Sequence, residues 1–285
     1  MEVAGTIEQV RRCVGSARAA GKIVGLVPTM GALHAGHFGL VDAAMASCGF
    51  VVVSIFVNPS QFGPNEDLRT YPRTPQEDLA SCRKRRVDLV FMPAEEVMYP
   101  PGGGLTQVSV RKLPDNLCGR SRPGHFTGVC TVVAKLFNIV QPDKAFFGAK
   151  DFQQAAIIRR MAADLDFPIE IVVCPTVREA DGLAMSSRNA RLTGEQRRQA
   201  VALNHSLRLA EETILRDRPP TGKVIDAIRR HLAQAAPDGA IDYVEIVDPT
   251  ELADAASTKG AVLVALAVKF GGTRLIDNIL VQGPG

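Results

Sequence analysis

The chain is 285 residues long, 46% hydrophobic and 22% charged, with a formal net charge of +3. That length can bury a full core and predicts one large domain plus one small one, while the near balance of charge argues against a nucleic-acid coat or a polybasic membrane surface. The longest apolar runs, residues 50–57 and 261–268, are far too short to span a bilayer, and Glu2 with no charged-then-apolar pattern after it predicts a protein that is not exported.

In chain order, apolar runs at 23–27, 51–57, 88–91, 144–147 and 169–173 alternate with helix-like segments at 38–47, 75–86, 128–140 and 152–164. Nearly continuous apolar strands separated by helices predict an α/β fold, a parallel sheet covered on both faces. The remainder differs. Residues 193–216 read as one long charged amphipathic helix, opening at Thr193 with Gln196 in the capping-box position. Arg218-Pro219-Pro220-Thr221 breaks it, 222–235 read as a second helix, and strands are predicted at 243–247, 261–267 and 274–280. Helices followed by strands are the order of a small α+β domain, so the chain is divided into 1–180 and 181–285. Cys13, Cys48, Cys82, Cys118, Cys130 and Cys174 are scattered with no C-x-x-C pair. A chain of this size needs no disulfides, and a reduced, cytoplasmic protein is expected.

Open parallel sheets bind ligands at the carboxyl ends of their strands, and residues 34–37, 58–63, 148–151 and 175–187 all fall just after predicted strands. His34-Ala35-Gly36-His37 lies where a strand gives way to a helix. There the backbone N–H groups and the helix dipole favour an anion, Gly36 lets a ligand approach the main chain, and imidazoles add donors. Nucleotide chemistry at an α-phosphate follows, against the plainer reading of capping or packing histidines. Zinc is disfavoured, because paired histidine ligands on a helix sit at i, i+4 and no cysteine completes a cluster.

The other motifs also carry two readings. Phe56-Val-Asn-Pro-Ser-Gln-Phe-Gly63 is either a turn in which Asn58 bonds its own backbone, or a rim loop whose Asn58 and Gln61 amides recognise hydroxyl and carboxylate groups. Gly119-Arg-Ser-Arg-Pro-Gly-His-Phe-Thr-Gly128 is a basic surface loop, or a mobile lid carrying positive charge toward phosphates. Gly148-Ala149-Lys150-Asp151 is a capped helix start with a solvated lysine, or a phosphate site with Lys150 as its point charge and Gln154 on the same rim. Met185-Ser186-Ser187-Arg188-Asn189 is a polar hinge, or a clamp in which Arg188 grips phosphate by two bonds.

Taken together, Pro28-Thr-Met-Gly-Ala-Leu-His-Ala-Gly-His37, Phe56-Val-Asn-Pro-Ser-Gln-Phe62, Gly148-Ala-Lys-Asp151, Met185-Ser-Ser-Arg-Asn189 and Thr273-Arg-Leu-Ile-Asp277 closely resemble the pantothenate synthetase (pantoate–β-alanine ligase) family over nearly the whole chain. H-x-G-H alone marks only the wider nucleotidyltransferase superfamily. The resemblance implies a Rossmann-like ATP domain, a smaller C-terminal α+β lid domain and a homodimer. It also implies two steps: pantoate and ATP give pantoyl adenylate and pyrophosphate, then β-alanine gives pantothenate and AMP. By position, Met30, Gly31, Ala32, Leu33, His34, Ala35, Gly36 and His37 would line the ATP site, with His37 the acid-type catalyst and His34 its phosphate-binding companion. Gln61 and Gln154 would hold pantoate, Gln61 also lying near β-alanine with Asn58 in support. Gly148, Ala149, Lys150 and Asp151 would cradle the nucleotide, Lys150 on phosphate and Asp151 on ribose. Val177, Met185, Ser186, Ser187 and Arg188 would close over adenine and phosphates, and Mg²⁺ would accompany ATP. Phe38-Gly39 departs from the Leu-Ser expected after the second histidine, which bears on helix packing.

The chemistry agrees: in-line attack of a carboxylate on phosphorus needs positioning and cations more than a covalent nucleophile. Two rivals remain. A nucleotidyltransferase acting on a phosphate would share the histidines but would call for cations where Asn58, Gln61 and Gln154 stand, and a non-catalytic nucleotide-binding regulator would keep ATP affinity without His37.

Overall fold

A computed structural model of the chain describes residues 1–64, 66–102 and 104–282. The chain opens with β1 (Glu2–Ala4), α1 (Ile7–Ala19), β2 (Val24–Thr29), α2 (Ala35–Ser47) and β3 (Phe50–Ile55). A 3-10 turn (Pro59–Gln61), α3 (Pro75–Lys84), β4 (Leu89–Phe91) and the single-turn α4 (Glu95–Met98) follow. Next come α5 (Leu117–Ser121), α6 (His125–Val140), β5 (Lys144–Gly148), α7 (Phe152–Asp164) and β6 (Glu170–Cys174). The last stretch holds α8 (Gly194–Ala200), α9 (Ala202–Asp217), α10 (Thr221–Ala235), β7 (Gly239–Val247), β8 (Val262–Phe270) and β9 (Thr273–Val281). Two compact units result. The first comprises Met1–Val110, Arg122–Ala149 and Gln154–Pro175; the second comprises Arg111–Ser121, Lys150–Gln153 and Thr176–Gly285. Two short segments inside the first 180 residues, one of them carrying Lys150, thus belong to the second unit.

In the first unit six parallel strands lie in the order β1-β4-β3-β2-β5-β6. Their residues alternate between faces. Val27, Val51, Val53 and Val90 pack with Leu40, Val41 and Ala44 of α2 and Cys82 of α3, while Leu26, Val52 and Leu89 are equally buried on the other side, where α1 and α6 lie. The chain steps from β2 outward through β3 to β4, then returns to place β5 on β2's other flank. The connections after β2 and β5 therefore diverge, leaving a crevice at the carboxyl ends where such sheets take ligands. Pro28 sits in the central strand without harm, because β5 pairs β2 only at Gly25 and Leu26, so no β5 carbonyl awaits the missing N–H. Phe38, the departure from the family pattern, sits under the Arg85 guanidinium, 3.7 Å from its ring centre, and α2 forms around it.

In the second unit an antiparallel sheet runs β7-β8-β9. Val262, Val264, Leu266, Val268 and Phe270 of β8 meet Leu203, Leu207, Ala210 and Ile214 of α9 and Val224, Ile228 and Leu232 of α10. A period of two on the strand meets a period near 3.6 on the helices, which is what burying one face of each requires.

The sequence reading holds for the two layers and differs in three places. β1 and α1 were not foreseen. The helix expected over 193–216 is two helices, bent at Val201. The Thr193–Gln196 capping box is present, but Gln199 at the end of α8 exchanges two hydrogen bonds with Asp238, whereas α9 follows the sheet. The stretch read as one loop over 119–128 is instead the end of α5, a turn and the start of α6.

Gly128 of α6 lies against the Pro59–Gln61 turn, where a Cβ would stand 2.3 Å from the Ser60 carbonyl oxygen and 2.7 Å from the Gln61 Cα. Gly128→Ala must separate two backbones, and we expect it to destabilise the fold by about 1–3 kcal/mol, the usual range for overpacking. A denaturation midpoint indistinguishable from the parent's would contradict that packing.

Candidate functional site

His34 is the N-cap residue of α2 and His37 stands in its first turn, with ring centroids 4.1 Å apart. The His34 backbone N–H donates to His37 Nδ1 at 3.3 Å, and the Gly36 N–H donates to His34 Nδ1 at 3.1 Å. Each Nδ1 is therefore an acceptor. A neutral imidazole with an accepting Nδ1 carries its proton on Nε2, so both rings offer Nε2–H as donor. The capping and phosphate readings of this motif are thereby not alternatives: capping sets the tautomer.

The preceding turn is bound from beneath. Gly31 and Ala32 have φ of +82° and +50°. The N–H groups of Ala32 and Leu33 donate to Asp78 Oδ2 and Oδ1 at 2.9 and 2.8 Å, and the Thr74 hydroxyl donates to Oδ1 at 3.2 Å. Asp78 is only 2% exposed. The sequence had suggested open backbone N–H groups along this loop; several are in fact held by side chains of the chain itself. Asp78 was missed because α3 gives it no local motif.

At the end of β3, the buried Asn58 side chain uses its whole hydrogen-bonding capacity on the protein. Its Nδ2 donates to Gln61 Oε1 and to the Gly128 carbonyl, at 3.0 and 3.2 Å. Its Oδ1 accepts from the Ser60 N–H, the Ser60 hydroxyl and the Tyr99 hydroxyl. Asn58 thus forms the turn expected of it and orients Gln61 rather than presenting an amide of its own. Gln61 Nε2 reaches Met30 Sδ at 3.2 Å, which ties the platform to the loop before the histidines. The Gln61 carbonyl accepts from His125 Nδ1 at 2.8 Å, and His125 Nε2 faces Arg122 Nη1 at 2.9 Å. A carbonyl only accepts and a guanidinium only donates, so His125 is the opposite tautomer, protonated on Nδ1.

Arg122 also grips Glu66 with Nε and Nη2, at 2.7 and 2.5 Å. Burial works to raise the Glu66 pKa, but Arg122 overcomes it and holds the carboxyl below its usual range. Arg120 pairs with Glu245 at 3.1 Å. Both arginines of the stretch read as a lid are thus engaged with carboxylates.

In the second unit, Lys150 is held by its carbonyl, which accepts from Asn278 Nδ2 at 2.7 Å. Loss of water lowers the Lys150 pKa; Asp151 and Asp277 oppose this, and Arg188 adds to it. Asp277, 1% exposed in its side chain, receives Arg178 by two bonds of 2.6 and 3.0 Å. The Met185 N–H donates to the Val177 carbonyl at 3.0 Å, so those two predicted residues are neighbours. Ser186 Oγ caps the Arg188 N–H at 3.2 Å, fixing the backbone of the Ser187–Arg191 turn. Asp151 is exposed.

Gly148 and Gln154 belong to the first unit. A Cβ on Gly148 would meet nothing within 4 Å, so packing does not demand a glycine there. Gln153 is buried and donates to the carbonyls of Leu113 and Asn116, while Gln154 beside it remains partly exposed. Among the described residues, no group of three His, Cys, Asp or Glu side chains is placed to hold a metal, and no helix is long and apolar enough to cross a membrane.

Comparison with known proteins matches this geometry to one group. Residues 2–280 fit the model of the pantoate-beta-alanine ligase family. The pantothenate synthetase of Moorella thermoacetica is 52% identical over 282 residues, 99% of each chain. A crystal structure of pantothenate synthetase from Thermus thermophilus superposes with a TM-score of 0.91 at 43% identity, covering 98% of this chain and 99% of that one. The pantoate-beta-alanine ligase of Francisella tularensis, crystallised with beta-gamma ATP and beta-alanine, gives a TM-score of 0.81 at 34% identity, covering 98% and 97%. Shared sequence over almost the full length, with the histidine loop and amide platform laid on the expected sheet, means that this chain belongs to the pantoate–β-alanine ligase family of enzymes.

Proposed function

We propose that the protein condenses pantoate with β-alanine, using ATP, through a pantoyl adenylate. A pantoate carboxylate oxygen attacks the α-phosphorus, the bond from that phosphorus to the bridging oxygen breaks, and pyrophosphate leaves with the electron pair. The β-alanine nitrogen then attacks the acyl carbon, the bond to the AMP oxygen breaks, and the amine proton passes to solvent. The observation that carries this reading is the contact of Gln61 Nε2 with Met30 Sδ. It brings an amide suited to a hydroxy acid against the loop that presents two Nε2–H donors suited to a phosphate.

In the first step His37 and His34 donate Nε2–H hydrogen bonds to the phosphate oxygens on which charge builds, His37 bearing on the transition state and His34 on binding. Preorganised donors of this kind act without reorganising as the charge develops. Lys150 and Arg188 contribute cationic charge to the polyphosphate, and Gly148 and Ala149 leave the backbone open beside it. Asp151 bonds the ribose, and Val177 with Met185, Ser186 and Ser187 flanks the nucleotide. Gln61 and Gln154 hold pantoate, with Asn58 acting through Gln61. Mg²⁺ arrives on the ATP phosphates, which with water supply the oxygen ligands that this hard cation prefers.

The deciding assay is pyrophosphate release with ATP, Mg²⁺ and pantoate, with and without β-alanine. We expect release to require pantoate, and multiple turnover to require β-alanine as well; release indifferent to pantoate rejects the reading. His37→Ala and Lys150→Ala should each slow single-turnover adenylate formation by at least about a hundredfold, the scale for losing one preorganised polar group. Near-parental rates in both would remove those roles.

The lowered pKa of Lys150 gives a pH signature. A lysine is active here as the cation, and burial makes it shed its proton below the ordinary 10.5. Activity therefore falls as pH rises through that lowered value. Lys150→Arg keeps its charge over the whole range, so its slower reaction should lack this alkaline limb. The same limb in both proteins would show that another group titrates.

A further inference from the structure

We propose that Asp78 is a positioning residue that sets the proton placement of the histidine pair. Its carboxylate is 2% exposed and each oxygen receives one backbone N–H of the turn that delivers the chain to His34: Ala32 on Oδ2 at 2.9 Å, Leu33 on Oδ1 at 2.8 Å. That turn carries two consecutive residues in the left-handed region, Gly31 and Ala32. A non-glycine residue stays there only when its surroundings over-determine it. Two charge-assisted bonds to successive N–H groups do so, since ionised acceptors bind about twice as strongly as neutral ones. Gly31 is pressed from the same side: a Cβ on it would stand 3.1 Å from Asp78 Oδ2 and 3.0 Å from Ile55 Cγ2. The carboxylate is itself tethered, because Thr74, the N-cap residue of α3, gives its hydroxyl to Asp78 and makes no cap bond of its own.

The turn determines where the His34 N–H points, and that N–H fixes His37 Nδ1 as an acceptor at 3.3 Å. The extended conformation of His34, φ −134° and ψ 178°, brings its own Nδ1 to the Gly36 N–H. Asp78 thus touches no reacting atom, yet it holds the backbone from which both Nε2–H donors are aimed. Without it, the Ala32 and Leu33 N–H groups lose their acceptor, the turn relaxes, and the two caps lose register.

Long-range ¹⁵N spectra of the histidines, on the full chain, read this directly. The parent should show His34 and His37 as Nε2–H tautomers and His125 as Nδ1–H, the last serving as an internal control. In Asp78→Asn, which keeps one acceptor oxygen and the same size, and in Asp78→Ala, the His34 and His37 signals should shift toward mixed tautomers while His125 stays unchanged. In parallel, kcat for pantoate-dependent pyrophosphate release should fall by at least about tenfold, the scale of a small misplacement near the chemistry, with KM for pantoate within about twofold. A merely structural role would lower Tm and leave the folded enzyme's tautomers and kcat alone. Parental histidine signals in folded Asp78→Asn, or parental kcat, overturns the proposal; if Asp78→Ala does not fold, Asp78→Asn decides. The kinetic arm rests on the proposed function. Parent enzyme that releases no pyrophosphate with pantoate would sink that function, while the spectra would still decide the role of Asp78.

Discussion

The N–H groups of the loop between β2 and α2 have acceptors built into the chain. Gly31 donates to the Thr29 hydroxyl, Ala32 and Leu33 to Asp78, His34 to His37, and Gly36 to His34. A helix start left without partners is unstable when partly buried, so these bonds are a condition of the fold before they serve any chemistry. They differ from the usual helix N-terminus open to an anion, in which bare amides face the ligand. Here two of the side chains that satisfy the amides are imidazoles, whose accepting Nδ1 places the proton on Nε2.

The same economy governs the amide platform. An Asn or Gln side chain can be turned either way round, and its neighbours decide which end donates. Three donors converge on Asn58 Oδ1, so Nδ2 must serve Gln61 and Gly128, and Gln61 is left with Nε2 leading toward Met30. One buried residue thereby sets the polarity of the next. Buried polar networks of this kind are stabilising only when fully satisfied, and glycine at 128 lets α6 come close enough to supply its carbonyl, since a Cβ there would stand 2.3 Å from the Ser60 carbonyl oxygen.

The sheet and both layers of helices were legible in the sequence because burying a parallel sheet on two faces forces unbroken apolar runs. The histidine and amide motifs were legible because they are contiguous. β1 was not foreseen because three residues carry no period, and α1 was not foreseen although Thr6 and Gln9, which form the same capping box as Thr193 and Gln196, were a signal for it. The contacts of Asp78 with Ala32 and Leu33, Tyr99 with Asn58, His125 with Gln61 and Asn278 with Lys150 could not be read in advance, since each is made only through the fold. The bend at Val201 was hidden for a similar reason: the helical pattern continues across it, and only the tie between Gln199 and Asp238 turns the axis. Arg120 and Arg122, whose role the sequence left open, pair with Glu245 and Glu66, partners that lie far from them in the chain.

β8 is the apolar centre of the second unit, with Val262 through Val268 all at most 4% exposed. Before its neighbours pair, such a segment has every attribute of an aggregation hot spot: high strand propensity, no charge and no proline. β7 precedes it and is available early, whereas β9 is made after it. Only Gly271 and Gly272 separate β8 from β9, and hairpins of that kind close in about 1–10 μs. Chain order therefore leaves this strand paired along one edge only until β9 has been made, and the two-glycine turn lets the second edge close with little further search.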